Sequence, residues 1–211
     1  MKKIKFNKIA IKGLKNVINQ TEDCLVYFTS DTHFGHKNII EFCERPWNTV
    51  EEMNEALIKN WNSVVRENDI VFHLGDLQLG GGNQLMDDIL PKLNGHIILI
   101  IGNHDPHNLK PRHLDLIDDY FEQLTVIIDG VQCVLTHCPN GLPGRDPKWQ
   151  FNLHGHLHSK KDEPQEQCSV KLQENHYDVG VDNNNYTPIS FDEIKKIIYS
   201  RLNNNSNETK N

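Results

Sequence analysis

The segment Ile97-Ile-Leu-Ile-Ile-Gly-Asn-His-Asp105 decides the fold, because an unbroken apolar run ends abruptly in a glycine and three polar residues. Such a run is typical of a strand that is buried on both faces of its sheet. Three other apolar runs end in the same way: residues 25–29 before Asp31-Thr-His33, residues 70–74 before Gly75-Asp76, and residues 131–136 before His137. We therefore predict a sheet whose strand ends deliver polar side chains to one edge.

A fifth polar segment, Gly155-His-Leu-His158, supplies two histidines at alternate positions, which lie on one face if the segment is extended. Together the five segments offer carboxylates, imidazoles and one carboxamide, a set of metal ligands without a thiolate. Each segment alone also has an ordinary interpretation, such as a turn or a solvated strand edge. Their number and their positions at strand ends favour a metal site.

The bulk composition fits one globular domain of 211 residues with 37% hydrophobic residues, and its 12 histidines are unusually many. The net charge of −7 argues against a nucleic-acid partner. Five cysteines without a C-x-x-C pair are typical of reduced thiols, so we expect a cytoplasmic protein. No apolar run approaches the roughly 20 residues of a membrane span, and the basic N-terminus lacks a signal-peptide core, so we expect no membrane partner.

Alternating strand and helix patterns in the first half predict an α/β protein. Thr49 to Glu52 form a capping-box pattern before a helix whose apolar face includes Met53 and Trp61. Asp129-Gly130 predicts a hairpin between residues 124–128 and 131–136. Ser190 is expected to cap a C-terminal helix, and His73 is expected to pack inside the protein or to support the site.

The chain is divided into three parts by its patterns. Residues 1–23 form an N-terminal extension of uncertain structure, with strand-like alternation at residues 4–11 and helical spacing at Leu14, Val17 and Ile18. Residues 24–202 form the single domain, in which residues 139–149 are expected to be a loop and residues 159–175 a surface excursion. Residues 203–211 are polar and are predicted to be a disordered tail.

In this order, the five segments resemble the motifs of the calcineurin-like metallophosphoesterase superfamily: D-x-H, G-D, G-N-H-[DE], H and G-H-x-H. The resemblance covers residues 31–158 and extends through the last strand and helix. Residues 31–40, followed by Arg45-Pro-Trp47, look like a small cap-less subgroup from bacteria and phages. The resemblance implies a four-layer α-β-β-α sandwich, with two mixed sheets flanked by helices and the metal site at one edge.

The resemblance also implies a binuclear centre with seven ligands. Asp31, His33 and His158 would hold the first metal, and Asn103, His137 and His156 the second. Asp76 would bridge them, since a carboxylate can span two cations about 3.5–4 Å apart whereas each imidazole nitrogen binds one. Imidazole-rich ligation favours Mn, Fe, Ni, Co or Zn, without choosing among them.

The implied mechanism is attack on phosphorus by a metal-bridging hydroxide, with His104 protonating the leaving oxygen. Asp105 either orients the His104 ring or is a turn carboxylate. His36 and Arg45 either contact the substrate phosphate or serve as a capping histidine and a structural arginine.

We therefore expect a hydrolase of phosphate monoesters or diesters, a phosphatase or phosphodiesterase for small phosphoesters that include nucleotide-like ones. The residues after Gly75-Asp76 lack the arginine of the protein Ser/Thr phosphatase pattern G-D-x-x-D-R-G, which disfavours that class. A non-catalytic scaffold or binding protein, and a nuclease, are the alternatives. Retention of all ligands counts against the first and the acidic balance against the second, and the sequence leaves the oligomeric state open.

Overall fold

The structure, a computed structural model, describes residues 16–139, 150–159 and 172–208. The strands are β1 (Asn16–Ile18), β2 (Val26–Thr29), β3 (Ile70–His73), β4 (His96–Ile100), β5 (Asp119–Phe121), β6 (Leu124–Ile128), β7 (Val131–Leu135), β8 (Gln150–His154), β9 (His176–Asp178) and β10 (Ile189–Ser190). The helices are α1 (Lys37–Phe42), α2 (Val50–Val64), α3 (Leu85–Ile89), α4 (Asp105–Asn108), α5 (Pro111–Leu114) and α6 (Phe191–Glu208), with a 3₁₀ turn at Leu90–Lys92.

The strands form two five-stranded sheets, both mixed. The first has the order β10-β2-β3-β4-β5, in which β2 to β5 are parallel and β10 is antiparallel to β2. The second has the order β1-β6-β7-β8-β9, in which only the β6–β7 pair, the predicted hairpin, is antiparallel. The expectation of two mixed sheets flanked by helices is confirmed.

One apolar core lies between the two sheets. Phe28 of β2 stacks on Phe72 of β3 with ring centroids 5.3 Å apart, and both pack in one cluster with Phe151 of β8 and Ile194 of α6. Burying a side chain of this size stabilises a fold by about 1.5–3 kcal/mol, so this cluster joins the sheets firmly.

A second core lies on the outer face of the first sheet, beneath the flanking helices. The predicted apolar face of α2, including Met53 and Trp61, packs there against Val71 of β3 and Leu99 of β4. The helix begins as predicted, since the Thr49 hydroxyl accepts a hydrogen bond from the Glu52 backbone N–H at 3.2 Å. The Glu52 carboxylate accepts from the Asn48 N–H at 3.0 Å, one residue earlier than a capping box requires.

The first and last described residues form regular elements that the sequence did not predict. Residues 16–18, for which helical spacing was considered, form an edge strand parallel to β6, and Gln20 ties it to Asp129 at 2.8 Å. The segment from residue 203 to 208, expected to be disordered, continues α6. Leu202 packs on the core and fixes the preceding part of the helix. Because extending an existing helix costs far less than starting one, the polar residues after Leu202 continue it.

Several predicted segments lie outside the described residues. They are the strand-like residues 4–11, residues 140–149 of the expected loop, residues 160–171 of the expected excursion, and residues 209–211 of the tail. In the described part of the chain, every helix is too short or too polar to cross a bilayer.

Candidate metal centre

The candidate site lies at one edge of the two packed sheets, where the carboxyl ends of the central strands meet. Asp31, Asp76 and Asn103 follow β2, β3 and β4, while His137 and His156 follow β7 and β8. This is where open α/β sheets generally place ligands. The loops are joined by their backbones, since Asp31 N–H donates to Gly75 O at 2.9 Å and His33 N–H to Asp76 O at 3.0 Å.

Five of the seven predicted ligands have left-handed backbone conformations. They are Asp31 (φ +57°), His33 (+48°), Asp76 (+55°), His156 (+71°) and His158 (+48°). Each such conformation in a residue other than glycine costs about 1–3 kcal/mol and persists where the surrounding structure enforces it. The strain is concentrated at the site, which is typical of a functional centre.

Two motif glycines are required by close approach of the backbone to ligand carboxylates. A Cβ at Gly102 would collide with Oδ1 and the backbone N of Asp76, and a Cβ at Gly155 would collide with Ser30 Oγ and Asp31 Oδ2. Glycine therefore precedes the Asn103 and His156 ligands because no side chain fits there.

The first predicted ligand group converges on one point. His33 Nε2 lies 3.3 Å from His158 Nε2, which lies 3.9 Å from Asp31 Oδ1. Asp31 Oδ1 is buried and finds no hydrogen-bond donor among the described residues. A buried carboxylate oxygen without a partner is costly, and a cation in this group would compensate it.

The second predicted ligand group is equally close. His137 Nε2 lies 2.8 Å from Asn103 Oδ1 and 3.1 Å from His156 Nδ1. His137 Nδ1 lies 2.8 Å from the carbonyl oxygen of Leu74 and must donate to it, because a carbonyl only accepts. This leaves the Nε2 lone pair of His137 directed into the site.

Asp76 lies between the two groups. Its Oδ2 is 3.7 Å from His33 Nε2 and 3.4 Å from His137 Nε2, while Oδ1 accepts from the His104 N–H at 2.9 Å. All seven predicted ligands therefore form one cluster, in which the Asp76 carboxylate lies close to both groups. The donor set fits two divalent cations.

The electrostatics of the cluster are set by burial and by close opposite charges. Burial raises the pKa of Asp31 to about 6 and lowers that of His33 to about 2. Burial works against the charged forms of Asp76 and His137, but their mutual hydrogen bond lowers the pKa of Asp76 and raises that of His137 to about 9. Protons and cations would therefore compete for the same lone pairs.

His104 and Asp105 have different environments. The His104 side chain is 42% exposed at the rim, with Nε2 3.9 Å from Asp76 Oδ2. The buried Asp105 carboxylate accepts from the backbone N–H groups of Asp76, Leu77 and Gly102 at 2.8–2.9 Å. Of the two interpretations of Asp105, these contacts favour the turn carboxylate over the residue that orients the His104 ring, because both oxygens hold the ligand loops.

Arg45 is also structural, so its predicted contact with substrate phosphate is wrong. Its guanidinium is fully buried and donates to both Asp182 oxygens at 2.9 Å, to Asp31 O at 2.8 Å and to Thr32 O at 3.0 Å. His36 lies nearer the cleft, with its ring 5.6 Å from that of His33. His36 therefore stays a candidate for contact with the substrate, whereas Arg45 does not.

Two further side chains support the site. His73 is fully buried, hydrogen-bonds Thr32 Oγ1 at 3.0 Å and stacks on Trp61, as predicted for a packing residue. Asp182, which the sequence analysis missed, lies 2.8 Å from His158 Nδ1 through its Oδ2. Asp182 follows the run Val179-Gly-Val181 and belongs to none of the five segments. No local sequence pattern therefore marked it as part of the site.

The chain belongs to the calcineurin-like phosphoesterase superfamily, whose domain model matches residues 25–172. Phosphoester hydrolysis is therefore its general chemistry.

Three relatives are similar to this chain. The uncharacterized protein MJ1445 of Methanocaldococcus jannaschii is 38% identical over 179 residues, covering 82% of this chain and 90% of that protein. The Gene 66 protein of Mycobacterium phage D29 is 33% identical over 160 residues, covering 64% and 79%. A crystal structure of the protein of unknown function AQ665 from Aquifex aeolicus superposes with a TM-score of 0.63 at 25% identity, covering 82% and 99%. The phage relative agrees with the small phage-type subgroup.

Proposed function

We propose that the protein hydrolyses small phosphate monoesters or diesters, nucleotide-like ones included, with two divalent cations. The observation that carries the proposal is the convergence of seven ligand side chains in two groups around Asp76. Asp31, His33 and His158 form one group, and Asn103, His137 and His156 the other. The imidazole-rich set favours Mn, Fe, Ni, Co or Zn.

Two bound cations would supply a hydroxide at neutral pH and neutralise the phosphoryl oxygens. The chain's own contribution is to fix the ligands before substrate arrives. Asp76 faces both groups with one oxygen, while its other oxygen holds the His104 backbone N–H at 2.9 Å. This contact places the exposed His104 ring at the rim, where it can protonate a departing alkoxide at Nε2 or Nδ1.

Of the two residues that the sequence suggested for substrate contact, His36 and Arg45, we propose this role for His36 only. Its half-buried ring lies beside that of His33, with the ring centroids 5.6 Å apart. We also propose a cytoplasmic location, supported by the four free cysteines in the described part of the chain.

A non-catalytic binding protein is the alternative that the test has to exclude. Such a protein has no need of a solvent-exposed imidazole beside a ligand cluster, and His104 is 42% exposed there. A nuclease is a further alternative, against which the net charge of −7 counts.

The test uses protein stripped of metal and reloaded with Mn²⁺, Ni²⁺ or Zn²⁺, with aryl and alkyl phosphate monoesters and diesters as substrates. We expect metal-dependent turnover that falls at least about 100-fold in Asp76→Asn, because the bridging carboxylate is lost. His104→Ala should lose about 10²–10⁴-fold on esters with alkoxide leaving groups, and less on nitrophenyl esters, whose leaving group needs no proton.

The matched control is Asp118→Asn, which removes a carboxylate 3.2 Å from His96 at the start of β4, the opposite end of that strand from Asn103. It should retain wild-type turnover. Absence of metal-dependent turnover on every ester, or unchanged turnover in Asp76→Asn, would exclude the proposed function. Cleavage of single-stranded or duplex DNA in preference to small esters would favour the nuclease.

A further inference from the structure

Arg45 and Asp182 form a buried ion pair beside the candidate metal centre, although neither belongs to the five ligand-bearing segments. The Arg45 side chain is 0% and the Asp182 side chain 2% exposed, and their nitrogen–oxygen distances are 2.9 Å on both branches. Removing both charges from water is costly, and a buried pair is weak evidence for stability. Stability alone therefore does not explain why these two charges are buried together, and their other contacts indicate a function.

Each partner of the pair reaches a different member of the same ligand group. Arg45 donates to the backbone carbonyl oxygens of Asp31 and Thr32, at 2.8 and 3.0 Å, in the segment that carries Asp31 and His33. Asp182 Oδ2 lies 2.8 Å from His158 Nδ1 and must accept from it. The pair thus connects the first strand loop with the G-H-x-H loop, 125 residues later in the chain.

The second ligand group is held by other contacts. His137 is fixed by the Leu74 carbonyl oxygen at 2.8 Å, and His156 N–H donates to Asp31 Oδ2 at 2.9 Å. Asn103 follows β4 directly, and Asp76 is held through the His104 N–H. The side-chain hydrogen bonds described for Arg45 and Asp182 go to the carbonyl oxygens of Asp31 and Thr32, to His158, to Met53 or to each other. None of them reaches Asn103, His137 or His156, and His156 is linked to the first group through Asp31.

We propose that Arg45 and Asp182 are positioning residues that build the metal site of Asp31, His33 and His158, and leave the site of Asn103, His137 and His156 unaffected. The inference rests on the two metal sites of the proposed function. Asp182 holds the proton of His158 on Nδ1, so that the Nε2 lone pair faces the cation, as outer carboxylates generally do for metal-bound histidines. Arg45 holds the carbonyl oxygens of a segment in which Asp31 and His33 have strained positive φ values.

The inference predicts a loss of one metal ion rather than a general loss of metal binding. Equilibrium dialysis of the full chain against Co²⁺, with elemental analysis and the visible absorption of bound Co²⁺, measures how many ions bind and how tightly. Wild-type protein should bind two ions. In Asp182→Asn and Arg45→Lys, one of them should bind at least about 10-fold more weakly, because outer-residue mutations typically cost 10–100-fold, and the other should keep its affinity.

Two features of the design keep the outcomes distinct. Asp118→Asn, which breaks the distant pair with His96, should bind two ions like the wild type. Arg45→Lys keeps the charge opposite Asp182 while losing the planar fork, so it decides the question if Asp182→Asn does not fold, as judged by circular dichroism.

Folded variants that keep both ions at wild-type affinity would overturn the inference, as would folded variants that lose both ions to the same extent. A wild-type protein that binds fewer than two ions would instead refute the binuclear proposal itself, before any variant is compared.

Discussion

At the residue scale, the polar side chains of the motif segments divide into those that face the cluster and those that hold it together. Asp105 and Asn103 are two residues apart, yet Asn103 Oδ1 contacts a ligand histidine at 2.8 Å while Asp105 binds only backbone N–H groups among its described hydrogen bonds. Neighbours in a short motif can thus have unrelated functions, because the turn directs their side chains to opposite sides.

The contacts of Asp105 predict that its replacement affects stability first. Asp105→Asn keeps one acceptor oxygen for three backbone N–H groups, and hydrogen bonds to charged groups contribute about 1.5–3 kcal/mol each. We expect the free energy of unfolding in urea to fall by about 2 kcal/mol or more. A variant with wild-type stability and a reduced kcat would show instead that Asp105 acts on His104.

Asp31 predicts a pH dependence of the metal-free protein. Burial raises its folded-state pKa from 3.8 to about 6, so the folded state binds more protons than the unfolded state between these pH values, and its stability falls as pH rises through that window. Asp31→Asn removes this penalty, because the amide cannot ionise. We therefore expect the metal-free variant to gain stability relative to wild type by about 1–3 kcal/mol at pH 7, and little at pH 4.

The measurement is urea unfolding of both proteins with chelator present, at pH 4, 5, 6 and 7. A constant difference across this range would contradict the assignment of the buried charge to Asp31. The same variant should lose the stabilisation that added Mn²⁺ confers on wild-type protein, since it lacks a ligand.

At the element scale, parallel strands bring the site together and glycines permit the approach of their loops. β2, β3 and β4 pair in parallel with Val26 opposite Ile70 and Ile70 opposite His96, so their carboxyl ends lie at one edge. The glycines before Asp76, Asn103 and His156 then let neighbouring loops approach more closely than a side chain would allow. Short strands such as β5 and β10, with three and two residues, carry too little pattern to be predicted.

Gly102→Ala tests this arrangement. The added methyl group would collide with the side chain and the backbone N of Asp76, so the two loops have to separate. We expect metal affinity to fall at least about 10-fold, because the bridging carboxylate moves, whereas overpacking typically costs 1–3 kcal/mol of stability.

Thr49→Ala is the matched control for that loss of stability. It removes the cap of α2, which packs on the outer face of the first sheet, at a cost of about 0.5–2 kcal/mol, and should leave metal affinity unchanged. Isothermal titration of both variants with Mn²⁺ checks the prediction. Equal losses of affinity in the two would mean that global stability, not the loop contact, controls binding.

At the scale of the whole molecule, the site depends on contacts between distant parts of the chain. His156 N–H donates to Asp31 Oδ2, which is 125 residues away, and Arg45 pairs with Asp182, which is 137 residues away. These contacts cross from the first sheet to the second, over the core that Phe28, Phe151 and Ile194 share. The joint between the sheets therefore supports the geometry of the cluster.

The sequence by itself determined the fold class, the strands that end at the site and the set of ligand candidates. It could do so because buried parallel strands and motif segments are local patterns, recorded in consecutive residues such as Ile97 to Asp105. The C-terminal helix and the β6–β7 hairpin could be predicted for the same reason.

Only the tertiary structure decided what Asp105, Arg45 and Asp182 do. Their functions depend on which groups lie within about 3 Å of them, and those groups come from segments far apart in the chain. Burial then strengthens these contacts, because a carboxylate or guanidinium removed from water is costly unless nearby partners replace its hydrogen bonds to water. The strand that ends in Gly102-Asn103-His104-Asp105 could therefore be predicted from the sequence. The ion pair of Arg45 and Asp182, which holds the neighbouring loops, could not.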